Sequence, residues 1–105
     1  VSERQPGERL PYSYSEHKTL TCATTDGSVA LVRYPDEIRV FNSDSTNAAY
    51  IKFDQASSTS DGYPIPAATE RRFYMKARSI HGICTAGTPK LFILALAYRD
   101  ERITA

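Results

Sequence analysis

The side chains in this sequence best suited to catalysis or metal binding are two histidines and two cysteines. Cys22 and Cys84 stand far apart, outside any C-x-x-C-type ligand spacing. Each sits in an apolar stretch, which suits a buried thiol behaving as a small hydrophobe. A disulfide is the alternative, although small disulfide-dependent domains usually carry more cysteines. His17 and His81 have no second histidine at i+2 or i+4. His81 and Cys84 come nearest to a Cys–His pair. On an extended strand, however, their odd separation sends them to opposite faces, and only a bulge at Gly82 would reunite them. The aspartates Asp26, Asp36, Asp44, Asp54 and Asp61 fall in turn segments. Asp44 and Asp61 offer oxygens to calcium in principle, but turn chemistry accounts for them. Neither a G-x-S-x-G elbow nor a phosphate-binding P-loop is present. These residues assign no catalytic group, no metal ligand and no cofactor, and the expectation is a non-enzymatic protein.

The elements that would carry these residues read as strands. Residues 1–17 hold Pro6, Gly7 and Pro11 and alternate in charge, which predicts an extended N-terminal arm. From Lys18 onward, short runs rich in Val, Ile, Thr, Phe and Tyr alternate with turn residues. The runs are Lys18–Thr24, Ser28–Arg33, Glu37–Asn42, Ala48–Asp54, Glu70–Lys76, Ser79–Thr85 and Lys90–Tyr98. Asp26-Gly27 reads as a tight hairpin turn, with Ser28–Arg33 as the returning strand. Pro64 and Pro66 confine Ile65 to an edge or strap. Residues 55–62 hold no large apolar side chain and read as a mobile surface loop. Gly82 inside its strand suggests a bulge or a close backbone approach. Lys90–Tyr98 is apolar on both faces, as a central strand covered on both sides should be. No window carries a helical stripe. The fold expected is an all-β sandwich or jelly roll of seven to eight short antiparallel strands. It would span residues 18–98, between the arm and a charged tail at 99–105.

Two further features point to contact surfaces. Arg71, Arg72, Lys76 and Arg78 form one local basic cluster, and a continuous strand would put Arg72, Lys76 and Arg78 on a shared face. Seven tyrosines and no tryptophan are present, and tyrosine suits interfaces because it joins apolar area to a hydrogen-bonding tip. In the arm, Arg4, Arg9, Leu10, Tyr12 and Tyr14 are the candidate anchors. The chain is 105 residues long with a net charge of +1, 41% hydrophobic and 24% charged. That balance disfavours a broad nucleic-acid footprint. The longest apolar run, Leu91–Tyr98, is far short of the ~20 residues a membrane helix needs. Neither nucleic acid nor membrane is therefore an expected partner.

The stretch from Glu37 to about Ile93 resembles a family. IRVFNSDSTNAAYIKF is followed by a polar loop, then YPIPAATERRFYM, then SIHGICTAGTPKLFI. This order is similar to a group of small proteins encoded among the structural genes of tailed phages. Their pattern is a V-R-[IV]-[YF]-N strand, a strand ending V-x-F, a P-I-P-A-G-T strap and a closing strand after a small-residue turn. Ile38–Asn42, Ile51–Phe53 and Pro64–Thr69 match those pieces. Ala68 stands where the strap has glycine, and the family's Pro- and Gly-rich close is missing. The resemblance implies a virion protein of the capsid decoration or cement type, assembled in the host cytoplasm. It would bind the major capsid protein at capsomer junctions as a homo-oligomer, a dimer or trimer. A neck, tail or fibre-attachment component is the alternative within the virion. Outside that class, a β-sandwich binding host glycans through Tyr50, Tyr63 or Tyr74 is the rival reading.

Overall fold

The computed structural model describes residues 12–98. Eight strands follow one another: β1 (Tyr12–Thr21), β2 (Gly27–Ala30), β3 (Glu37–Asn42), β4 (Ala49–Phe53), β5 (Tyr63–Ile65), β6 (Glu70–Phe73), β7 (Ser79–Ile83) and β8 (Lys90–Tyr98). They form two four-stranded sheets of order β1-β8-β3-β6 and β2-β7-β4-β5, and every pairing is antiparallel. This interleaving, in which only β4 and β5 are both consecutive and paired, is the double Greek key of a jelly roll.

The pairing explains several local features. β8 is central, between β1 and β3. The three-residue β5, with Pro64 in it, is an edge, where a missing N–H costs no ladder bond. β1 starts at Tyr12, so Tyr12–His17 continue the first strand along β8 rather than belonging to an arm. Alternating Tyr-Ser-Tyr-Ser suits a strand, and the last breaker before it is Pro11. Residues 1–11 and 99–105, the rest of the expected arm and the tail, lie outside the described residues. Asp26-Gly27 does not close a hairpin, because β1 and β2 belong to different sheets and the turn is a corner between them. Gly82 sits in unbroken register opposite Gly27 and Ile51, so there is no bulge. A Cβ there would meet Cys22 Sγ at 2.9 Å and Leu20 Cδ2 at 3.0 Å, so glycine serves the close approach of the two sheets.

The core lies between the sheets. Leu20, Ile38, Val40, Leu91 and Ile93 from one meet Ile51, Ile65 and Ile80 from the other. Each such side chain contributes roughly 1.5–3 kcal/mol by leaving water. One end of the sandwich is held by backbone bonds between its loops. Cys22 N–H donates to Pro89 O (2.8 Å), Cys84 N–H to Ala23 O (2.9 Å), and Ala68 N–H to Asp44 O (2.9 Å). Asn42, fully buried, donates through Nδ2 to Asn47 O (2.9 Å) and Ile65 O (3.0 Å), while its Oδ1 accepts from Asp44 N–H (3.0 Å). Ala68 is held at φ 54°, a left-handed conformation that favours glycine. Residues 55–62 are anchored rather than loose. Ser57 is buried, donates its hydroxyl to Tyr50 O (2.8 Å) and its N–H to Asp26 Oδ1 (2.9 Å).

A tyrosine–arginine end as the candidate protein interface

The opposite end of the sandwich is built from larger side chains. It comprises the β2–β3 loop (31–36), the β6–β7 loop (74–78), the first residues of β1 and the last of β8. Pro35 breaks the β2–β3 segment, and β6 stops at Phe73, so both loops are free to carry side chains outward. Leu31 N–H donates to Arg78 O (2.7 Å) and Arg78 Nε returns a bond to Leu31 O (2.9 Å). That bond holds the Arg78 guanidinium over the Tyr34 ring, 5.3 Å from its centre. Arg33 lies 4.5 Å from the centre of the Tyr14 ring. Val32 N–H bridges both oxygens of Glu16 (3.0 and 3.1 Å), and Tyr14 donates its hydroxyl to Glu16 Oε1 (2.9 Å). Lys76 pairs with Asp36, which also accepts Tyr98 N–H at 2.8 Å. The Lys76 hydrogen bond, aided by Tyr98 N–H and opposed by burial, holds the Asp36 carboxyl below its ordinary range.

What this end exposes distinguishes it. Val32 is 66% exposed, Tyr34 57%, Tyr74 62% and Met75 38%. Aromatic side chains, methionine and arginine are enriched at protein interfaces. Rings held by guanidinium groups lose little freedom when a partner docks. Met75 adds a flexible apolar surface.

The sequence-predicted contact residues divide. Tyr14, Lys76 and Arg78 gather at this end, and Tyr12 opens β1 there, opposite Tyr98. Arg71 and Arg72 instead lie on β6, opposite Val40 and Arg39. Arg72, Lys76 and Arg78 do not share a strand face, because β6 ends at Phe73 and the latter two sit in the following loop. Arg4, Arg9 and Leu10 lie outside the described residues. Val32, Arg33, Tyr34 and Met75 were not singled out in the sequence. The available signal was a Val-Arg-Tyr run ahead of Pro35, apolar and aromatic residues in a segment that breaks a strand.

The groups suited to chemistry lie elsewhere. His81 points out of its sheet, with Nδ1 3.0 Å from Asp26 Oδ2. Cys84 points inward at 1% exposure, its thiol donating to Gly87 O. The two occupy opposite faces, as alternation requires. Both cysteines are free. Burial, with nearby Cys84 adding to it, pushes the Cys22 thiol up to about 12, and burial also raises Cys84. Asp44 Oδ1 accepts Thr46 N–H and Asn47 N–H, each at 2.8 Å, in an Asx turn. Asp61 pairs with Lys52 at 2.8 Å. Among the described residues no three His, Cys, Asp or Glu side chains cluster as metal ligands would.

A groove of about 420 Å³ opens beside β5, over Ile51, Phe53, Tyr63, Phe73 and Met75. Phe73 makes edge contacts with Phe53 (centroids 5.0 Å) and Tyr63 (5.3 Å). Lys52, Gln55 and Asp61 form its polar rim.

No protein-family model and no curated protein matches this sequence. Solved structures do align over most of it. A Bacillus endospore appendage protein, from a family of disulfide-linked pili, is 13% identical over 92% of this chain and 97% of its own, with a TM-score of 0.49. A cupin-superfamily protein from Desulfitobacterium hafniense is 16% identical over 92% of this chain and 94% of its own, with a TM-score of 0.41. The Drosophila NLP core, a pentamer-forming histone binder, is 7% identical over 83% of this chain and 99% of its own, with a TM-score of 0.34. At these scores the likenesses carry no functional inference.

Proposed function

We propose that this jelly roll is a non-enzymatic structural protein of a virion that decorates and stabilises a phage capsid. It binds the major capsid protein at capsomer junctions. The observation that carries this reading is the tyrosine–arginine end, where exposed Val32, Tyr34, Tyr74 and Met75 surround oriented arginines. The resemblance of residues 37–93 to small tailed-phage structural proteins supplies the partner. A net charge of +1 suits recognition by shape and local pairs rather than by long-range attraction. Arg4, Arg9 and Leu10, which precede Tyr12 in the sequence, are the further contact residues of this reading.

Mass spectrometry of purified virions tests the proposal. Hundreds of copies per particle support capsid decoration. One ring of copies moves the protein to the neck, tail or fibre attachment, and absence from the particle overturns the reading. The groove beside Tyr63 favours one other function, binding of a host glycan on an aromatic floor with a polar rim. A glycan array without hits removes it.

A further inference from the structure

Each sheet ends in two edge strands, and three of these four edges are blunted. β5 has three residues, one of them Pro64. β2 has four residues, and β6 has four, three of them charged. Short length, proline and charge are the usual guards against the addition of another strand. β1, the fourth edge, runs ten residues from Tyr12 to Thr21 without a proline. Its two inward charges offset each other, with Lys18 Nζ 3.5 Å from Glu16 Oε2.

Two bonds fix which backbone groups of β1 are left over. Cys22 N–H donates to Pro89 O and Ser43 N–H to Lys90 O, so Pro89 faces β1 and Lys90 faces β3. Continued along the register, this alternation bonds Leu20, Lys18 and Glu16 to β8. The N–H and C=O groups of Ser15, His17, Thr19 and Thr21 point the other way. Among the described residues nothing bonds to them. The side chains of the same four residues are exposed. Only another extended backbone matches such a row of donors and acceptors.

We infer that an extended segment of the partner protein adds to this edge as a fifth strand of the β1-β8-β3-β6 sheet. Position selects the occupant. The edge runs straight out of the tyrosine–arginine end, where Tyr14 lies near its start and Glu16 is tied to Val32 of the exposed loop. A partner seated on Val32, Tyr34 and Tyr14 therefore reaches the edge directly. A second copy does not serve that end. Antiparallel pairing of two β1 strands about a two-fold axis turns the two tyrosine–arginine ends in opposite directions, away from a common surface. Ser15, Thr19 and Thr21 place hydroxyls beside the edge, which suit Thr, Ser or β-branched residues opposite them. The inference rests on the reading of that end as the interface with the shell.

Amide hydrogen exchange tests it on the full chain, free and bound to phage shells purified without this protein, read residue by residue by mass spectrometry. In the free chain the Glu16, Lys18 and Leu20 amides exchange slowly and the His17, Thr19 and Thr21 amides fast. On the shell the latter slow by about tenfold or more. Thr19→Pro removes an outward N–H and no ladder bond, so circular dichroism shows the fold intact while shell binding weakens about tenfold or more. Thr19→Ala keeps the N–H and binds as the wild type does. A chain that binds shells with its His17 and Thr19 amides still fast overturns the strand addition and leaves the tyrosine–arginine interface standing. A chain that does not bind shells overturns both. Slow His17 and Thr19 amides in the free chain also overturn the inference. If that chain sediments as a dimer, the occupant is a second copy, and if as a monomer, it is the chain's own residues.

Discussion

At one end of this sandwich the loops join through backbone groups and short polar side chains, with Asn42, Asp44 and the Pro66–Thr69 strap bonded to one another. At the other, loops 31–36 and 74–78 join through Arg78, Lys76 and Asp36, and they leave Tyr34, Tyr74 and Val32 in solvent. The first end spends its side chains on itself, whereas the second holds its charged groups in place and presents its rings outward. The motifs that resemble the phage group fall on strands and on the first end. Asn42 closes the motif strand, and its side-chain amide bonds to the β3–β4 turn and to β5 while its N–H donates to Thr69 O in the strap. The motif therefore marks the support of the fold, while the candidate interface lies in loops outside the motif or beyond its matched pieces.

That contrast can be broken first at Asn42. Asn42→Ala strands the buried carbonyl of Ile65 and that of Asn47, and costs about 2–4 kcal/mol in urea unfolding. At the other end, Tyr34→Ala with Tyr74→Ala changes stability by no more than about 1 kcal/mol, because both rings are mostly exposed, and acts on partner binding instead. Equal losses of stability at the two ends would erase the distinction.

Arg78→Ala has an intermediate effect, about 1 kcal/mol, since it removes one hydrogen bond and one cation–π contact. Tyr34 becomes more mobile, which nuclear magnetic relaxation reads directly. Acid acts on both ends. Asp36, held low first by Lys76, and Asp44, held low by Thr46 and Asn47 N–H groups, have folded values below the unfolded one. Their contribution is present above the unfolded value of about 3.9 and disappears as pH falls through the lower folded values. Thermal melts should therefore decline below about pH 4. Asp36→Asn should lower the melting temperature at neutral pH and flatten the acid slope.

The smallest expected effect is a gain. Ala68 sits at φ 54° where the resembling proteins have glycine. Ala68→Gly relieves that conformation, partly offset by the greater freedom of glycine in the unfolded chain, for a net of roughly 0.5–1 kcal/mol. A fall in unfolding midpoint would contradict this account of the strap.

Much of the fold was legible because it is local. Two-faced apolarity put β8 at a sheet centre, and the prolines around Ile65 put β5 at an edge. Sheet membership was not legible, because a turn such as Asp26-Gly27 joins strands without saying whether they pair. Nor was the anchoring of residues 55–62, which depends on Asp26 reaching Ser57 across the sheet. Of the candidate site, Tyr14, Lys76 and Arg78 were visible as residue types. Their meeting with Arg33 and Tyr34 was not, since it follows from which loops the double Greek key places at one end. Arg71 and Arg72 were grouped with them by sequence proximity, and the end of β6 at Phe73 separates them.

The central claim is that the tyrosine–arginine end meets the partner. Cryo-electron microscopy of a decorated particle tests it most directly by giving the orientation of the sandwich. The account predicts Tyr34, Tyr74 and Arg78 against the shell, with the Asn42–Ala68 end in solvent. The reverse orientation, with the Asn42–Ala68 end seated on the shell, would contradict it.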